Sequence, residues 1–567
     1  MPEVIPANVE IRVVVARSTS ALDNAGFDRP MIAVLPDYND WNDFGRNFFA
    51  LLHIRPIFGD PLEFHIRMMF EGAMRSEHIF TKLFAENGNV FPISLIQLPF
   101  VSLIPDVESY RKLIAALGFQ TGISALRQLC DAVVIRTEGV NMAGLRLIEG
   151  EEFHIGVLRQ GDAYTALRRA GGHFRPDPPP PVDDAANDFS FSTRLQCADN
   201  LYEISFEFAP DELFRDRTSV LIGRNGAGKT QVLKAIVDGL HSGHPEGFTR
   251  PKFNPAFQPS RVLVFSSVPS DPFPRSIGAW HGIDYEYFAV NASREDGTDP
   301  LLSALVACKR TQYDDMFGPD GSMSRLDVIR KALNQIGLWK TLHLPLRHLN
   351  AGDELLGALL IGGQRFIHIG KSLNELNTLK LIQQIDWDRT AVVLDEQLTP
   401  RKLSSGEYAM LRFAAQAAAA IEKGSLLLLD EPETHLHPNF VSELMEILDN
   451  LLQSTKSVAI IATHSAYVVR EAPRRRVNVL TIQNREIAVD TPRVQTFGAS
   501  IDTISQFVFG DFDAPHQFQK TLERWTDEVG RGLGIDGIIQ RYGKELNPES
   551  LSFISRRLRE SPTPALD

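Results

Sequence analysis

A glycine-rich loop between an apolar run and a helical pattern constrains the fold of this 567-residue chain more than any other feature. The loop matches the pattern GxxxxGK[ST] and consists of Gly223, Arg224, Asn225, Gly226, Ala227, Gly228, Lys229 and Thr230. The run Ser219–Ile222 predicts a strand before it, and apolar residues at helical spacing predict a helix after it. Glycines let backbone N–H groups turn toward a phosphate, and the positive end of the helix dipole points at the same place. The order of strand, loop and helix therefore predicts an α/β fold with a phosphate-binding P-loop at the edge of its sheet.

Two carboxylates at the end of a second apolar run fit the chemistry of this loop. The run Leu426–Leu429 predicts a buried strand of a parallel sheet, and Asp430 and Glu431 follow it directly. Lys229 would supply charge to the β- and γ-phosphates, while Thr230 and Asp430 are predicted to hold Mg²⁺. Glu431 is placed to orient or deprotonate the attacking water. Without the upstream loop, the same carboxylate pair would be an ordinary strand end and helix cap.

Two shorter segments carry further candidate residues. The first lies before a predicted helix over Tyr408–Ile421 and consists of Leu403, Ser404, Ser405, Gly406 and Glu407. Taken alone, its serine and glutamate are those of a capping box at a helix start. The second is His464, which follows the predicted strand Val458–Ala462. A single histidine at a strand end is a weak sign of chemistry by itself.

Taken together, the four motifs resemble those of ABC-type ATPases, in the soluble SMC, RecF-like and OLD-like branch of the AAA family. The segment from Leu403 resembles the signature LSGGQ, with Ser405 in place of the first glycine and Glu407 in place of the glutamine. It lies one helix before the strand Leu426–Leu429, which with Asp430 and Glu431 resembles the Walker B strand of that family. The signature has the same position there. His464 stands where the family has the switch histidine that senses the γ-phosphate.

The segment after the Walker B strand points to the same branch. Residues 430–438 read DEPETHLHP and are similar to the form found in RecF-like and OLD-like ATPases. The resemblance places His435 and His437 in the D-loop, which crosses the dimer interface. Two loop histidines without further ligands would also make a poor zinc site.

The resemblance implies a P-loop NTPase head that uses ATP and Mg²⁺. Because ABC heads combine the P-loop of one subunit with the signature of another, one head per chain implies a sandwich dimer with itself or with a matched head. The P-loop residues are the expected nucleotide contacts, and the expected γ-phosphate contacts across the dimer are Ser404, Ser405, Gly406 and Glu407. The expected catalytic residues are Glu431, His464 and Lys229.

Two features of the family cannot be assigned to residues from the sequence. No glutamine of a Q-loop follows the predicted strand Arg261–Phe265, where Ser266 and Ser267 stand instead. The aromatic residue that would stack on adenine stays open among Phe206, Phe208 and Phe214.

A proline-rich segment predicts the main division of the chain. Residues 176–187 form an expected linker, since consecutive prolines favour an extended segment. We expect an α/β domain of unassigned role at 1–175, the ATPase head at 188–515 and a helical tail at 516–567. Within the head, the pattern at about 272–400 predicts a helical insertion that is too short for a coiled-coil arm.

The first 175 residues carry strand-like and helix-like patterns but no recognisable motif. Strands are predicted at Met31–Leu35 and Ala132–Ile135, and helices near Phe44–Leu52 and Ser124–Leu129. This mixture is typical of an α/β domain.

Composition limits the partners. A formal net charge of −13 argues against a protein that is basic all over and coats nucleic acid. The dense basic cluster Arg474–Arg476 is either a solvated turn or a local contact for DNA.

The sequence contains no apolar run long enough to cross a membrane and no secretory signal pattern, so we expect a cytoplasmic protein without a membrane partner. The cysteines form neither a metal pattern nor a disulfide framework and are expected to be reduced: Cys130, Cys197 and Cys308.

Two functions remain in competition. The first is an ATPase that dimerises on ATP and switches a partner effector, such as a nuclease, in a bacterial anti-phage defence system; no nuclease signature is seen in the chain itself. The alternative is a RecF- or SMC-like repair or genome-maintenance ATPase that grips DNA directly. A transporter ATPase is disfavoured by the sequence that follows the Walker B strand.

Overall fold

The structure is a computed structural model. It describes residues 10–27, 29–38, 46–139, 141–158, 161–174, 188–195, 198–214, 217–240, 251–267, 270–275, 284–290, 298–312, 317, 323–335, 337–347, 357–434, 436–509 and 517–559. The predicted linker at 176–187, His435 and Cys197 lie outside these residues. Cys130 and Cys308 are free thiols.

The amino-terminal part of the chain is a mixed six-stranded sheet packed against helices. Its strands are β1 (Arg12–Ala16), β2 (Met31–Pro36), β3 (Phe49–Arg55), β4 (Leu62–Phe70), β5 (Val90–Pro92) and β6 (Phe100–Leu103). Its helices are α1 (Thr19–Ala25), α2 (Ser76–Asn87), α3 (Val107–Leu117), α4 (Phe119–Gln128), α5 (Ala132–Glu138), α6 (Met142–Glu149), α7 (Glu151–Gly156) and α8 (Gly161–Arg169). The strand order is β5-β1-β2-β3-β4-β6, with β1 and β2 parallel and the other pairs antiparallel. Alternate residues of β1 enter two hydrophobic clusters, Val13 and Val15 one and Val14 and Ala16 the other, so both faces of the sheet are covered.

Two local predictions in this part are wrong. Ala132–Ile135, predicted as a strand, begins helix α5, because the carboxylate of Asp131 accepts hydrogen bonds from the backbone N–H groups of Val133 and Val134. The helix predicted near Phe44–Leu52 is the second error. From Phe49 onward this segment forms strand β3, which pairs with β2 on one side and β4 on the other. In both places a cap or a strand partner overrides the local pattern.

The head is built on a seven-stranded sheet. Its elements begin with β7 (Phe189–Thr193), β8 (Tyr202–Phe206), β9 (Thr218–Ile222), α9 (Lys229–Leu240), β10 (Lys252–Asn254), β11 (Val262–Ser266), β12 (Tyr285–Ala289) and α10 (Pro300–Arg310). The strands β10, β7 and β8 form a small antiparallel sheet, and its phenylalanines share one core with α9. The predicted strand at Ser219–Ile222 is confirmed as β9, within one residue.

The segment predicted as a helical insertion is mixed. It contains α11 (Arg325–Gln335), β13 (Leu342–Leu346), β14 (Leu359–Ile361), β15 (Gln364–His368), α12 (Glu375–Gln384), β16 (Val392–Leu394) and β17 (Pro400–Arg401). The five strands form a sheet in the order β14-β15-β13-β16-β17, and β12, also within 272–400, joins the main sheet instead. Pro345 in the central strand β13 is a signal that normally argues against a strand there. The helical prediction holds for α10, α11 and α12 but is wrong for this sheet.

The remaining elements of the head complete the main sheet. They are α13 (Ser405–Ala420), β18 (Leu426–Asp430), α14 (Pro438–Thr455), β19 (Val458–Thr463), α15 (Ala466–Val469), β20 (Val477–Gln483) and β21 (Glu486–Asp490). The strand order is β12-β11-β18-β19-β9-β20-β21, and all neighbours are parallel except β20 and β21. The carboxyl ends of β9, β18 and β19 therefore meet at one edge, with Asp430 opposite Ala462 and Thr463 opposite Ile222. The predicted α/β fold is confirmed.

The carboxyl-terminal helices form a second compact unit, which contains Pro492–Gln495 and Ala499–Asp567. Its helices are α16 (Ile501–Phe509), α17 (Gln517–Trp525), α18 (Arg531–Tyr542) and α19 (Pro548–Arg559). Asp527, on a π-helical turn between α17 and α18, forms ion pairs of 3.2 Å with Arg531 and 2.8 Å with Arg557. The unit thus begins before residue 516, and α16 belongs to it. Among the described helices of the whole chain, none has both the length and the apolar character needed to cross a membrane.

Candidate functional site

The P-loop connects β9 to α9 as the sequence predicts. Its glycines meet two different steric demands: Gly226 and Gly228 have φ values of 81° and 92°, where a side chain would be strained. A Cβ on Gly223 would lie 2.4 Å from the carbonyl oxygen of Leu480 on β20, so this position is closed by packing. The tip of the loop, at residues 224–226, is exposed. The loop can therefore present backbone N–H groups to a phosphate while its base is fixed against the sheet.

Lys229 lies beneath the loop. Its Nζ donates hydrogen bonds to the carbonyl oxygens of Gly223 at 3.0 Å and Arg224 at 3.4 Å. Burial lowers the pKa of this lysine, while the nearby carboxylates of Asp430 and Glu431 act in the opposite direction. A desolvated ammonium whose hydrogen bonds within the described residues go to carbonyl oxygens is well placed to exchange those contacts for phosphate oxygens.

Thr230 and Asp430 meet across the sheet edge, 200 residues apart in sequence. The hydroxyl of Thr230 is 3.0 Å from Oδ1 and 2.9 Å from Oδ2 of Asp430. Asp430 is completely buried, and burial raises the pKa of its carboxyl to about 7. A hydroxyl and a carboxylate are hard oxygen ligands of the kind that Mg²⁺ takes beside phosphate groups, so the residues fit the predicted metal. The positive charge of such an ion would compensate the burial of the carboxylate.

Glu431 and His464 also meet at this edge. The Nδ1 atom of His464 is 3.3 Å from Oε1 of Glu431. Glu431 has a φ of 51°, and its N–H donates to the carbonyl oxygen of Ala462 at 2.8 Å, which fixes the direction in which the side chain leaves β18. Such left-handed backbone at a non-glycine residue is uncommon and clusters at functional sites.

Glu433 is a carboxylate to which the sequence analysis assigned no role. It is buried, accepts a hydrogen bond from the Thr463 hydroxyl, and its Oε1 lies 3.8 Å from Nδ1 of His464. Burial raises its pKa. Its position two residues after Glu431, within the motif of residues 430–438, could have marked it as a candidate site residue.

Asp271 is a second residue that the sequence analysis missed. It follows β11, in the region where a Q-loop glutamine was sought, and its charge contributes to the raised pKa of Asp430. The hydroxyl of Tyr287 donates to Asp271 at 2.6 Å, and the backbone N–H of Ser267 donates to the carbonyl oxygen of Asp430 at 3.2 Å. A second carboxylate thus lies near enough to Asp430 for its negative charge to disfavour ionisation of that residue.

The signature segment forms a complete capping box at the start of α13. The N–H of Glu407 donates to Oγ of Ser404 at 3.2 Å, and the N–H of Ser404 donates to the Glu407 carboxylate at 2.8 Å. Arg401 binds both oxygens of that carboxylate at 2.9 Å and lowers the pKa of Glu407 to about 2. Gly406 faces Phe440, whose ring would lie 2.9 Å from an added Cβ. The helix start that would face a partner's nucleotide is therefore held in place by its own chain, with Glu407 engaged as a cap.

The adenine-stacking candidates are reduced from three to one. Phe206 and Phe208 are completely buried, and both rings contact Phe189 in the core below the P-loop, so neither face is open to a base. Phe214 is half-buried and packs edge-on against Phe497.

The basic cluster at Arg474–Arg476 does not present three solvated guanidinium groups. Arg476 is buried and donates to the carbonyl oxygen of Ala209 at 2.7 Å, while Arg475 forms an ion pair with Asp211. These contacts fasten the turn before β20 to the segment after β8 and support the structural interpretation of this cluster.

Comparisons with known proteins find partial matches to this chain. Residues 363–470 match a family model described as "AAA domain, putative AbiEii toxin, Type IV TA system". Protein ea59 of Escherichia phage lambda is 25% identical over 378 residues, which are 65% of this chain and 68% of that protein. The UvrABC system protein A of Staphylococcus aureus strain COL is 30% identical over 133 residues, or 24% of this chain, but only 13% of that protein is covered.

Among solved structures, an SMC head domain from Thermotoga maritima matches with 13% identity and a TM-score of 0.28, over 55% of this chain and 100% of that domain. The matched residues include α13, β18 and β19, and the segments beside these elements carry Ser404, Asp430, Glu431 and His464. This part of the chain therefore resembles an AAA domain, and the P-loop on β9 lies in the same parallel sheet.

Proposed function

We propose that the chain binds ATP with Mg²⁺ at the P-loop edge of the main sheet and hydrolyses it between two paired heads, and that this pairing switches a separate effector protein. The observation that carries the proposal is the meeting of three sequence-distant segments at one edge. They are the end of the P-loop with Lys229 and Thr230, the end of β18 with Asp430 and Glu431, and His464 after β19.

Each group has a distinct role in the proposed reaction. Lys229 neutralises charge on the β- and γ-phosphates, and Thr230 and Asp430 would hold Mg²⁺, which supplies further neutralisation when bound. Glu431 accepts a proton from the water that attacks the γ-phosphorus, so the bond to the β-phosphate oxygen breaks as the new P–O bond forms. His464 donates a hydrogen bond to the γ-phosphate, and its contact with Glu431 couples the two residues.

The signature segment provides the reason for pairing. The N-terminus of α13 offers free N–H groups and the positive end of the helix dipole, which together favour a phosphate. The Ser404 hydroxyl accepts a hydrogen bond from Glu407 and keeps its own proton to donate. A partner's nucleotide would thus complete this site only when the heads close, and contacts made only in the closed state shift the equilibrium toward it.

The central experiment uses Glu431→Gln, which should bind ATP but hydrolyse it slowly. We expect its mass in light scattering to double with ATP and Mg²⁺, while the parent protein releases phosphate and shows a smaller shift. The matched control is Glu486→Gln, which changes an exposed residue at the start of β21 and should behave as the parent does. An unchanged mass together with no turnover by the parent would reject the two-head site.

The effector part of the proposal is supported by the lack of a nuclease signature in the sequence and by the family description, which reads "AAA domain, putative AbiEii toxin, Type IV TA system". Purified chain incubated with plasmid DNA, ATP and Mg²⁺ should leave the DNA intact. Cleavage by the chain alone would contradict a separate effector. DNA binding that requires ATP and weakens steeply with salt would favour the genome-maintenance alternative.

A further inference from the structure

Residues of the amino-terminal part of the chain and of the head together line a cavity of about 470 Å³. Tyr164 and Arg168 of α8 line one wall, and Ser303 and Arg310 of α10 line another. Phe288 on β12 lines it from the main sheet. Three strands lie between β12 and the P-loop strand β9, a separation of about 19 Å at the usual strand spacing. The cavity is therefore distinct from the nucleotide site, and its volume is that of a small-molecule pocket.

The Arg310 side chain carries a charge that the described part of the chain does not neutralise. Its guanidinium donates to the carbonyl oxygen of Leu158 at 2.8 Å and lies over the ring of Tyr164, 4.3 Å from the centroid. Its Nε is buried without a hydrogen-bond partner, and no carboxylate among the described residues pairs with it. Burial lowers the pKa of this arginine. An unpaired guanidinium at a cavity wall is costly unless an anion joins it.

The neighbourhood of Arg310 has an excess of positive charge. Arg168 pairs with Glu286 at 3.3 Å, and the same carboxylate binds Arg261 at 2.5 Å, so one glutamate serves two arginines. Arg136 faces Arg168, and burial together with that like charge lowers the pKa of Arg136. The charged residues of the cavity lining itself are Arg168, Arg310 and Glu286. Arg136 and Arg261 add two guanidinium groups nearby, and Asp284, which pairs with Arg261, adds one carboxylate. This local excess is opposite in sign to the net charge of −13 of the whole chain.

The rest of the lining is apolar or aromatic. It includes the rings of Tyr164, Phe288 and Trp387 and the small side chains of Ala304 and Ala307. Rings with a few convergent polar groups are the usual composition of a site for a small organic ligand. We propose that this cavity binds a small ring-bearing anion, a carboxylate or phosphate, whose charged group meets Arg310 and whose ring lies among the aromatic side chains.

The position of the cavity gives such a ligand a route to the head. Gln416 and Ala420 of α13 also line it, and Arg261 donates to the carbonyl oxygen of Ala420 at 2.9 Å. The opposite end of α13 carries the signature segment at Ser404. A bound anion would thus touch α8, α10 and α13 together. An effect on turnover rests on the proposed ATPase function, whereas binding itself does not.

The test is ligand-observed saturation-transfer NMR, with titration calorimetry, on the full chain. The probes are phenyl phosphate, benzoate, phenol and inorganic phosphate. We expect at least one ring-bearing anion to bind, with phenol and inorganic phosphate at least tenfold weaker. Arg310→Gln should weaken binding of that anion at least tenfold, and Ser303→Phe should abolish it by filling the cavity without removing a charge. Lys340→Gln, an exposed cation on another element, is the control and should bind as the parent does.

The two variants test the cavity in different ways, since Arg310→Gln removes a charge and Ser303→Phe fills space. Comparable melting temperatures of parent and variants show that lost binding is not lost folding, and either variant alone suffices if the other fails to fold. Binding that persists in the presence of saturating ATP and Mg²⁺ supports the proposal. Failure of both ring-bearing anions to bind, equal binding by inorganic phosphate, equal binding by the folded variants, or displacement by ATP would overturn it.

Discussion

The two halves of the proposed ATP site differ in how far the chain satisfies its own polar groups. At the P-loop edge, Asp430 is buried with its pKa raised to about 7, Lys229 is desolvated, and Glu431 has left-handed backbone geometry. At the start of α13, the capping box between Ser404 and Glu407 is complete, and bonding by Arg401 lowers the pKa of Glu407 to about 2.

This difference indicates where ligand binding has to contribute stability. The P-loop edge concentrates charges that a cation and a triphosphate would compensate, so its stability should depend on ligand. The helix start is fixed before any partner arrives, and preorganised N–H groups need no rearrangement when charge develops opposite them. Substitutions at the first half should therefore change function far more than stability, and substitutions at the second half should change stability as well.

The largest effect is expected for Lys229→Ala. Loss of a preorganised charge at the phosphates should lower ATP turnover at least about a hundredfold, equivalent to roughly 3 kcal/mol. The melting temperature should stay close to that of the parent, since the hydrogen bonds of the ammonium in the described part of the chain go to two loop carbonyl oxygens. Phosphate release and differential scanning fluorimetry measure the two quantities. Lys234→Ala, one turn further along α9 and ion-paired with Asp238, is the control, with normal turnover expected.

The next effect concerns Asp430→Asn. In EDTA, removal of a buried carboxylate charge should raise the free energy of unfolding by about 1 kcal/mol. Added ATP with Mg²⁺ should raise the melting temperature of the parent but not of this variant. Asp490→Asn, at an exposed strand end, should leave both values unchanged. A variant that melts below the parent in EDTA would show that Asp430 stabilises the edge without a ligand and would break the comparison.

The motif-bearing elements could be predicted from the sequence because each is specified locally. The strand before the P-loop, the helix after it and the four-leucine strand carry their own patterns and turn residues, and all appear in the structure. What sequence could not supply were contacts between distant segments. The charge of Asp271, five residues after the end of β11, acts on Asp430, and Glu433 binds Thr463 on the neighbouring strand.

The errors have the same origin. Phe206 and Phe208 have the chemistry to stack on adenine, but the small antiparallel sheet turns both into the core. Pro345 obscured the central strand of the second sheet, whose pairing with β15 and β16 comes from later in the chain. Ala132–Ile135 is β-branched and apolar, yet the cap from Asp131 makes it helical. Long-range pairing and capping decided these elements where local propensity was weak.

The third prediction, Glu407→Gln, tests the preformed half. Glutamine can keep the capping bond from the Ser404 N–H but loses the charged pair with Arg401, which should lower the free energy of unfolding by about 1 kcal/mol at neutral pH. Because the folded-state pKa of Glu407 is depressed to about 2 from an ordinary 4.5, its stabilisation is present above about pH 4.5 and is lost as pH falls toward 2. The difference in urea midpoint between parent and variant should therefore shrink over that range. Glu396→Gln, an exposed residue nearby, should show no such pH-dependent difference.

The smallest effect on stability is expected for Gly406→Ala, and it separates packing from function within the signature. Alanine favours a helix over glycine by up to about 1 kcal/mol, but its Cβ would lie 2.9 Å from the Phe440 ring, which must move. The two effects oppose each other, so the net change in unfolding free energy should stay within about 0.5 kcal/mol. Turnover should fall several-fold, since a side chain at the second residue of α13 obstructs close approach of a phosphate. Adding Phe440→Leu removes the clash and should restore stability but not turnover. If turnover also recovered, the role of Gly406 would be to pack against Phe440 rather than to admit the nucleotide of a partner head.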